Sequence, residues 1–184
     1  HIALPSMGEE EWQAMRAPIE SGWLTQGPKV AEFEKQFAER HTVKHALATT
    51  SCTTALHLAL AAMDIGPGDE VIVPSFTWVA TANAVLYCNA TPVLCDVDPL
   101  TNNIDPASVA SKLTERTKAV MPVHLFGLPA DMDPIMDIAK SSRLKVVEDA
   151  ACAQGTEYKG KRIGDIGDCG AFSFHPRKSI TTGE

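Results

Sequence analysis

The chain's 184 residues, 45% hydrophobic and 21% charged, suit one globular domain with a substantial core. No apolar run approaches a membrane span, and no Gly/Ser- or Pro-rich linker divides the chain. A net charge of −7 without a basic cluster argues against a nucleic-acid partner.

The five cysteines, Cys52, Cys88, Cys95, Cys152 and Cys169, contain no CxxC pair and are odd in number. That pattern favours reduced thiols in a cytoplasmic protein over a disulfide frame. The spacing of Asp149, Cys152, Cys169 and His175 matches no zinc pattern, so no metal is expected. There is no signal-peptide pattern after His1, and the sequence stops within a loop at Ile180–Glu184, which reads as the break of a longer chain.

In chain order, Ser6-Met7-Gly8-Glu9 has capping-box spacing ahead of a helix with Trp12, Met15 and Ile19 on one face. Gly22 ends it, a loop follows, and Pro28 opens a second helix carrying Val30, Phe33 and Phe37. His45–Ala48 reads as a strand, and a helix is expected over Ala55 to Met63. Glu70–Pro74 is a buried strand, and Ser75–Trp78 starts a helix through Val79, Ala82, Val85 and Leu86. Thr91–Cys95 is the next strand, Asp105-Pro106 caps a helix through Leu113, and Lys118–Val123 is a strand. Asp131–Ser142 is helical, and Leu144–Val147 runs as a strand into Glu148-Asp149. Strands alternating with helices predict an α/β sandwich with a mainly parallel sheet.

Four places invite chemistry, each with a plainer reading beside it. Hydroxyls at Ser51, Thr53 and Thr54 stand where a helix begins; they serve ordinary capping, or they hold a phosphate at the positive helix end. Trp78 is a core tryptophan or a ligand contact beyond a strand's carboxyl end. Asp149 ends an apolar strand, as a helix cap or as a poorly solvated carboxylate that needs a partner. Lys178 follows Pro176 in a turn, as a surface amine or as a Schiff-base nucleophile. Pyridoxal phosphate would use them together: a ring nitrogen for Asp149, an aldehyde for Lys178, a phosphate for the Ser51–Thr54 helix start and a ring face for Trp78.

Thr50-Ser51-Cys52-Thr53-Thr54-Ala55-Leu56-His57-Leu58-Ala59-Leu60, Gly68-Asp69-Glu70-Val71-Ile72-Val73-Pro74-Ser75-Phe76-Thr77-Trp78, Val147-Glu148-Asp149-Ala150-Ala151 and Ser173-Phe174-His175-Pro176-Arg177-Lys178 through Thr181-Thr182-Gly183-Glu184 occur in that order. Together they resemble the DegT/DnrJ/EryC1/StrS sugar aminotransferases. The resemblance implies a fold-type I large domain, a three-layer α/β/α sandwich around a mainly parallel mixed sheet. On this view residues 1–184 are the N-terminal part of the cofactor domain, residues 1–28 being its leading helix and loop, and a smaller C-terminal domain lies outside the chain. The implied cofactor is pyridoxal 5'-phosphate, the amino donor glutamate and the acceptor a keto sugar on a nucleotide carrier. A homodimer with shared active sites is also implied.

Residue by residue, the resemblance makes Lys178 the Schiff-base lysine and general base and acid, and Asp149 the partner of the ring nitrogen. It makes Trp78 the stacking aromatic and Thr53, Thr54 and Ser173 the phosphate contacts. Cys152 departs from it, standing near the cofactor hydroxyl where many relatives carry His or Gln, with Gln154 or water as a substitute. Trp23, Thr25 and Gln26 are expected, by position, to face the substrate.

The alternatives are a same-family enzyme acting on a keto-cyclitol, a sugar dehydratase, and a truncated cofactor-binding domain without turnover. Dehydrating relatives replace the lysine, often with histidine, so the presence of Lys178 favours transamination. A Ser173/His175/Asp149 hydrolase lacks the GxSxG elbow and has poor spacing. His175 reads more simply as a structural histidine than as an acid or base.

Overall fold

A computed structural model describes residues 4–183. Helix α1 (Glu9–Ser21) begins two residues later than the Ser6 spacing predicts. Gly8 is its N-cap, and the Gly8 N–H donates to Glu11 Oε2 at 2.7 Å, the reciprocal half of a capping box. Glu9, Glu10 and Glu11 fill the first turn, the sign its dipole favours. Gly22, at φ 72°, stops the helix in the left-handed conformation that glycine adopts without a Cβ clash. Trp12, Met15 and Ile19 share a face, as expected, but all three are exposed.

Helix α2 (Pro28–His41) has Pro28 in its first turn and lines up Phe33, Phe37 and His41 at four-residue spacing. That stripe meets the segment that leads to Lys178. Phe33 packs edge-on to Phe174 at 5.2 Å, and Phe37 packs edge-on to Phe172 at 5.1 Å. Each such pair contributes about 0.5–1.5 kcal/mol beyond area burial. His41 stacks on Phe37 and places Nδ1 3.2 Å from the Ile163 carbonyl; burial lowers its pKa.

The remaining elements are α3 (Cys52–Ala62), β1 (Glu70–Pro74), α4 (Ala80–Tyr87), β2 (Thr91–Cys95), α5 (Pro106–Ser111), β3 (Thr117–Val120), α6 (Met132–Ser142), β4 (Lys145–Asp149), β5 (Glu157–Tyr158), β6 (Lys161–Arg162) and β7 (Cys169–Ala171). The main sheet has the order β2-β1-β3-β4-β7, and each neighbouring pair is parallel. Among the described residues, antiparallel pairing is found in the short β5–β6 hairpin and in one isolated bridge between Val97 and Ile104. Parallel neighbours need crossovers: α4, α5 and α6 lie in those that join β1 to β2, β2 to β3 and β3 to β4, while turns and the β5–β6 hairpin lead from β4 to β7.

Alternating strand residues build two cores, one on each face of the sheet. Val71, Val73, Ala119, Met121, Val147 and Ala171 pack with α3 and α4. Ile72, Cys95, Val120 and Val146 pack with α5 and α6. The result is the expected three-layer α/β/α sandwich.

Three local expectations need correction. Residues 45–48 are not a strand: they run irregularly, with the Ala48 N–H given to the Glu34 carboxylate at 2.8 Å rather than to a neighbouring strand. Helix α3 starts at Cys52, not Ala55, because Ser51 caps it and its hydroxyl accepts the Thr54 N–H. Helix α4 starts at Ala80, leaving Trp78 just ahead of the first turn. A cleft of about 740 Å³ separates residues 43–49 from β7. It reaches Cys52 and Ser173, but neither Asp149 nor Lys178 lines it.

Candidate active site

The carboxyl ends of β1 and β4 carry the site. Strand alternation turns Asp149 toward the α4 layer and Glu148 the other way. The Asp149 side chain is buried, and Thr81, in the first turn of α4, places Oγ1 2.8 Å from Oδ2. The Ala151 N–H donates to Oδ1 at 3.2 Å. Burial pushes the Asp149 carboxyl above its ordinary range; Thr81, Ala151, Lys178 and His124 pull it back only in part. This carboxylate still favours a nearby positive charge. Asp149 does not cap a helix, since the chain continues as turns.

Lys178 approaches from the other side. After β7 the chain turns tightly, with the Lys178 N–H donating to the His175 carbonyl at 2.8 Å. Lys178 Nζ then lies 3.1 Å from Cys152 Sγ. The lysine is half-buried rather than a freely solvated amine. Cys52, at the start of α3, belongs to the same neighbourhood. Burial pushes its thiol far up, Asp149 and Cys152 push the same way, and Lys178 opposes them. The structure therefore brings together Asp149, Lys178, Cys152 and the start of α3.

At that helix start, Thr54 Oγ1 lies 3.1 Å from Thr50 Oγ1 and 3.0 Å from Ser51 Oγ. Ser51 thus does the capping, while Thr53 and Thr54 stand in the first turn, whose N–H groups favour an anion. Trp78 is 79% exposed, so it is no core tryptophan. Its carbonyl lies 3.1 Å from Thr81 Oγ1, the hydroxyl whose single proton goes to the nearer Asp149 Oδ2.

Ser173 is buried, and its Oγ accepts the His175 N–H at 3.4 Å. The Gln154 amide nitrogen donates to the Ser173 carbonyl, which leaves Gln154 Oε1 buried and without a partner among the described residues. The His175 ring accepts the Arg177 N–H through Nδ1 at 3.2 Å, a structural role. No Ser173–His175–Asp149 relay forms, because Ser173 meets the His175 backbone rather than its ring.

Trp23, Thr25 and Gln26 are not drawn into this cluster. They lie exposed on the loop between α1 and α2, where Trp23 Nε1 donates to the Gln26 carbonyl at 2.9 Å. Among the described residues, no group of three or more His, Cys, Asp or Glu side chains is placed to hold a metal.

One residue of the site, Thr81, and one beside it, Glu148, escaped the sequence reading. Thr81 carried a faint signal, a hydroxyl three positions after Trp78. Glu148 looked like part of the strand, yet its buried carboxylate accepts from the N–H groups of Gly164, Ile166 and Gly167 at 3.0, 2.9 and 2.7 Å. His124 Nε2 adds a contact at 3.1 Å. His124 Nδ1 accepts the Ala130 N–H, so Nε2 carries the proton that it gives to Glu148. The backbone N–H of His124 donates to the Asp149 carbonyl at 3.0 Å.

The family model for the DegT/DnrJ/EryC1/StrS aminotransferases matches residues 5–184. The chain belongs to this family. It is 53% identical over 184 residues to the GDP-perosamine synthase of Caulobacter vibrioides, covering 100% of this chain and 50% of that one. An aminotransferase from Psychrobacter cryohalolentis superposes with a TM-score of 0.94 at 45% identity, covering 98% of this chain and 46% of its own. Spr1654 of Streptococcus pneumoniae, solved in PLP and PMP forms, gives 0.96 at 34% identity over 99% of this chain and 50% of its own. The chain thus spans about half the length of the relatives it matches.

Spr1654 was solved with pyridoxal phosphate bound, and the residues here suit such a group. Among the described residues the buried Asp149 carboxylate accepts from one hydroxyl and one N–H, a helix start stands open to an anion, and Lys178, in contact with Cys152, acts electrostatically on Asp149 and on Cys52.

Proposed function

We propose that this chain is the N-terminal part of the cofactor domain of a pyridoxal phosphate-dependent aminotransferase, residues 1–28 forming its leading helix and loop. The enzyme moves an amino group from glutamate to the keto carbon of a nucleotide-linked sugar. One observation carries this reading: a buried aspartate, held by Thr81 at 2.8 Å, lies within electrostatic reach of a half-buried lysine whose Nζ is 3.1 Å from Cys152 Sγ. The acceptor class is supported by the likeness to GDP-perosamine synthase.

When bound, pyridoxal phosphate supplies an aldehyde carbon for an amine and a ring whose protonated nitrogen withdraws electrons. Asp149 holds the proton on that nitrogen, its negative charge matched to the ring's positive one. Thr81 keeps the carboxylate aimed. Lys178 Nζ would be the amine that holds the aldehyde group, and the same nitrogen, once free, would move a proton at the carbon that bears the amino group. Thr53, Thr54 and Ser173 hold the phosphate together with the α3 dipole. Trp78 would offer its exposed indole to the ring, and Cys152, in contact with Lys178, would be the nearby thiol where many relatives carry His or Gln. The remainder of the enzyme, a smaller C-terminal domain and a second subunit, completes the substrate site, with Trp23, Thr25 and Gln26 facing the sugar. The five free thiols suit a cytoplasmic setting.

The test is spectroscopic and covalent. The purified protein should absorb in the visible range, and borohydride should abolish the band and leave a pyridoxyl group on Lys178. Lys178→Ala should keep the fold and lose amino transfer from glutamate to a nucleotide keto sugar. A colourless, unlabelled protein, or unchanged turnover in Lys178→Ala, would overturn the proposal.

A further inference from the structure

We propose that Cys152 and Lys178 form a modification site, at which a hydroperoxide joins the two side chains by a sulfur–nitrogen bond. Their atoms already touch, with Lys178 Nζ 3.1 Å from Cys152 Sγ. The residues are distant in sequence, and the parallel pairing of β4 with β7 sets their approach, Asp149 standing opposite Ala171. The fold therefore brings the two segments side by side. Both residues are half-buried, so a small oxidant reaches them. At Cys52, Cys88, Cys95 and Cys169 burial pushes the thiol upward, which keeps it protonated.

The chemistry takes two steps. The Cys152 sulfur attacks the hydroperoxide, the O–O bond breaks, an alcohol or water leaves, and the sulfur is oxidised to a sulfenic acid. The Lys178 nitrogen lone pair then attacks that sulfur, and the S–O bond breaks. The departing hydroxide takes one amine proton and leaves as water. The sulfenamide that remains has lost two hydrogens relative to the reduced pair. A thiol reductant reverses it: one thiol attacks the sulfur and frees the amine, and a second thiol releases Cys152 as it closes a disulfide with the first. The bond needs only the observed contact. Its consequence, an amine withdrawn from catalysis, rests on the proposed role of Lys178.

The experiment strips the purified protein of any bound cofactor with hydroxylamine, exposes it to hydrogen peroxide with and without added pyridoxal phosphate, and maps peptides by mass spectrometry. The expected product joins the Cys152 and Lys178 peptides with two hydrogens lost. It is reversed by dithiothreitol, absent from Cys152→Ala and Lys178→Arg, and retained in Cys52→Ser. Recovery of Cys152 as a sulfinic or sulfonic acid, or in a disulfide with Cys52, with Lys178 unmodified, overturns the proposal. Added pyridoxal phosphate should suppress the cross-link by occupying Lys178. An equal yield with and without it would leave the modification site standing and count against Lys178 as the cofactor lysine.

Discussion

Glu148 and Asp149 are consecutive on β4, both buried, and their proton affinities are displaced in opposite directions. Burial raises both, but at Glu148 the bonds from His124, Gly167 and Gly164 outweigh it and hold the carboxyl below its ordinary range. Asp149 has too few donors for that and stays above its range. Glu148 is a finished structural anion, and Asp149 is a carboxylate awaiting a cation.

The contrast sets opposite pH signatures. The folded pKa of Asp149 is raised, so its contribution to stability is present below the ordinary carboxylate range and is lost as pH rises through the folded value. Asp149→Asn should therefore raise the melting temperature of the cofactor-free protein at neutral pH and lose that advantage in acid. The same variant should lower amino transfer by about 100-fold or more, because nothing then holds the ring proton. Melting curves at two pH values and steady-state rates check both halves.

Glu148 behaves the other way. Its folded pKa is lowered, so its stabilisation is present above the unfolded value and is lost as pH falls through the folded one. Glu148→Gln exchanges an acceptor carboxylate for an amide that must turn a donor toward N–H groups. Each buried donor left unpaired costs about 1–3 kcal/mol. Urea denaturation at neutral pH should show a loss of at least that size, and the difference should shrink in acid.

Thr81→Val keeps the shape and removes the hydroxyl that Asp149 relies on. A hydrogen bond to a charged group is worth about 1.5–3 kcal/mol, so kcat/KM should fall roughly 10- to 100-fold. Since that bond lowers the Asp149 pKa, its removal raises the value further. The acid limb of the pH–rate profile should move to higher pH, a shift that a purely structural residue would not cause.

Phe37→Ala tests the clamp between α2 and the segment beyond β7. Phe37 meets Phe33, His41, Phe172 and Phe174. The loss should approach about 3 kcal/mol, the low end for a packed phenylalanine. Chemical denaturation measures it, and a parallel fall in amino transfer would show that the clamp also steadies Lys178.

Much of this was legible in the sequence because parallel strands buried on both faces read as apolar runs, as Val71–Val73 and Val146–Val147 do. Asp149 and Lys178 stood out as charges next to such runs. What stayed hidden depends on neighbours in space. Residues 45–48 have strand composition, yet composition cannot say whether a partner strand lies alongside. Trp12, Met15 and Ile19 form a helical face, but periodicity does not reveal what covers it. Thr81 became part of the site only when β4 and α4 came together. Glu148 took on its role only when the loop at Gly164–Gly167 folded over it.

The loop's glycines also bear on how the end of β7 is held. A Cβ on Gly170 would lie 2.4 Å from the Gly164 Cα, so backbone meets backbone here with no space for a side chain. From this fixed point and the phenylalanine clamp, the distance along the chain to Lys178 acts as a ruler. One inserted residue adds up to about 3.3–3.6 Å of reach, more than any hydrogen bond tolerates. The turn at residues 174–178 should thus accept changes of residue type far more readily than changes of length.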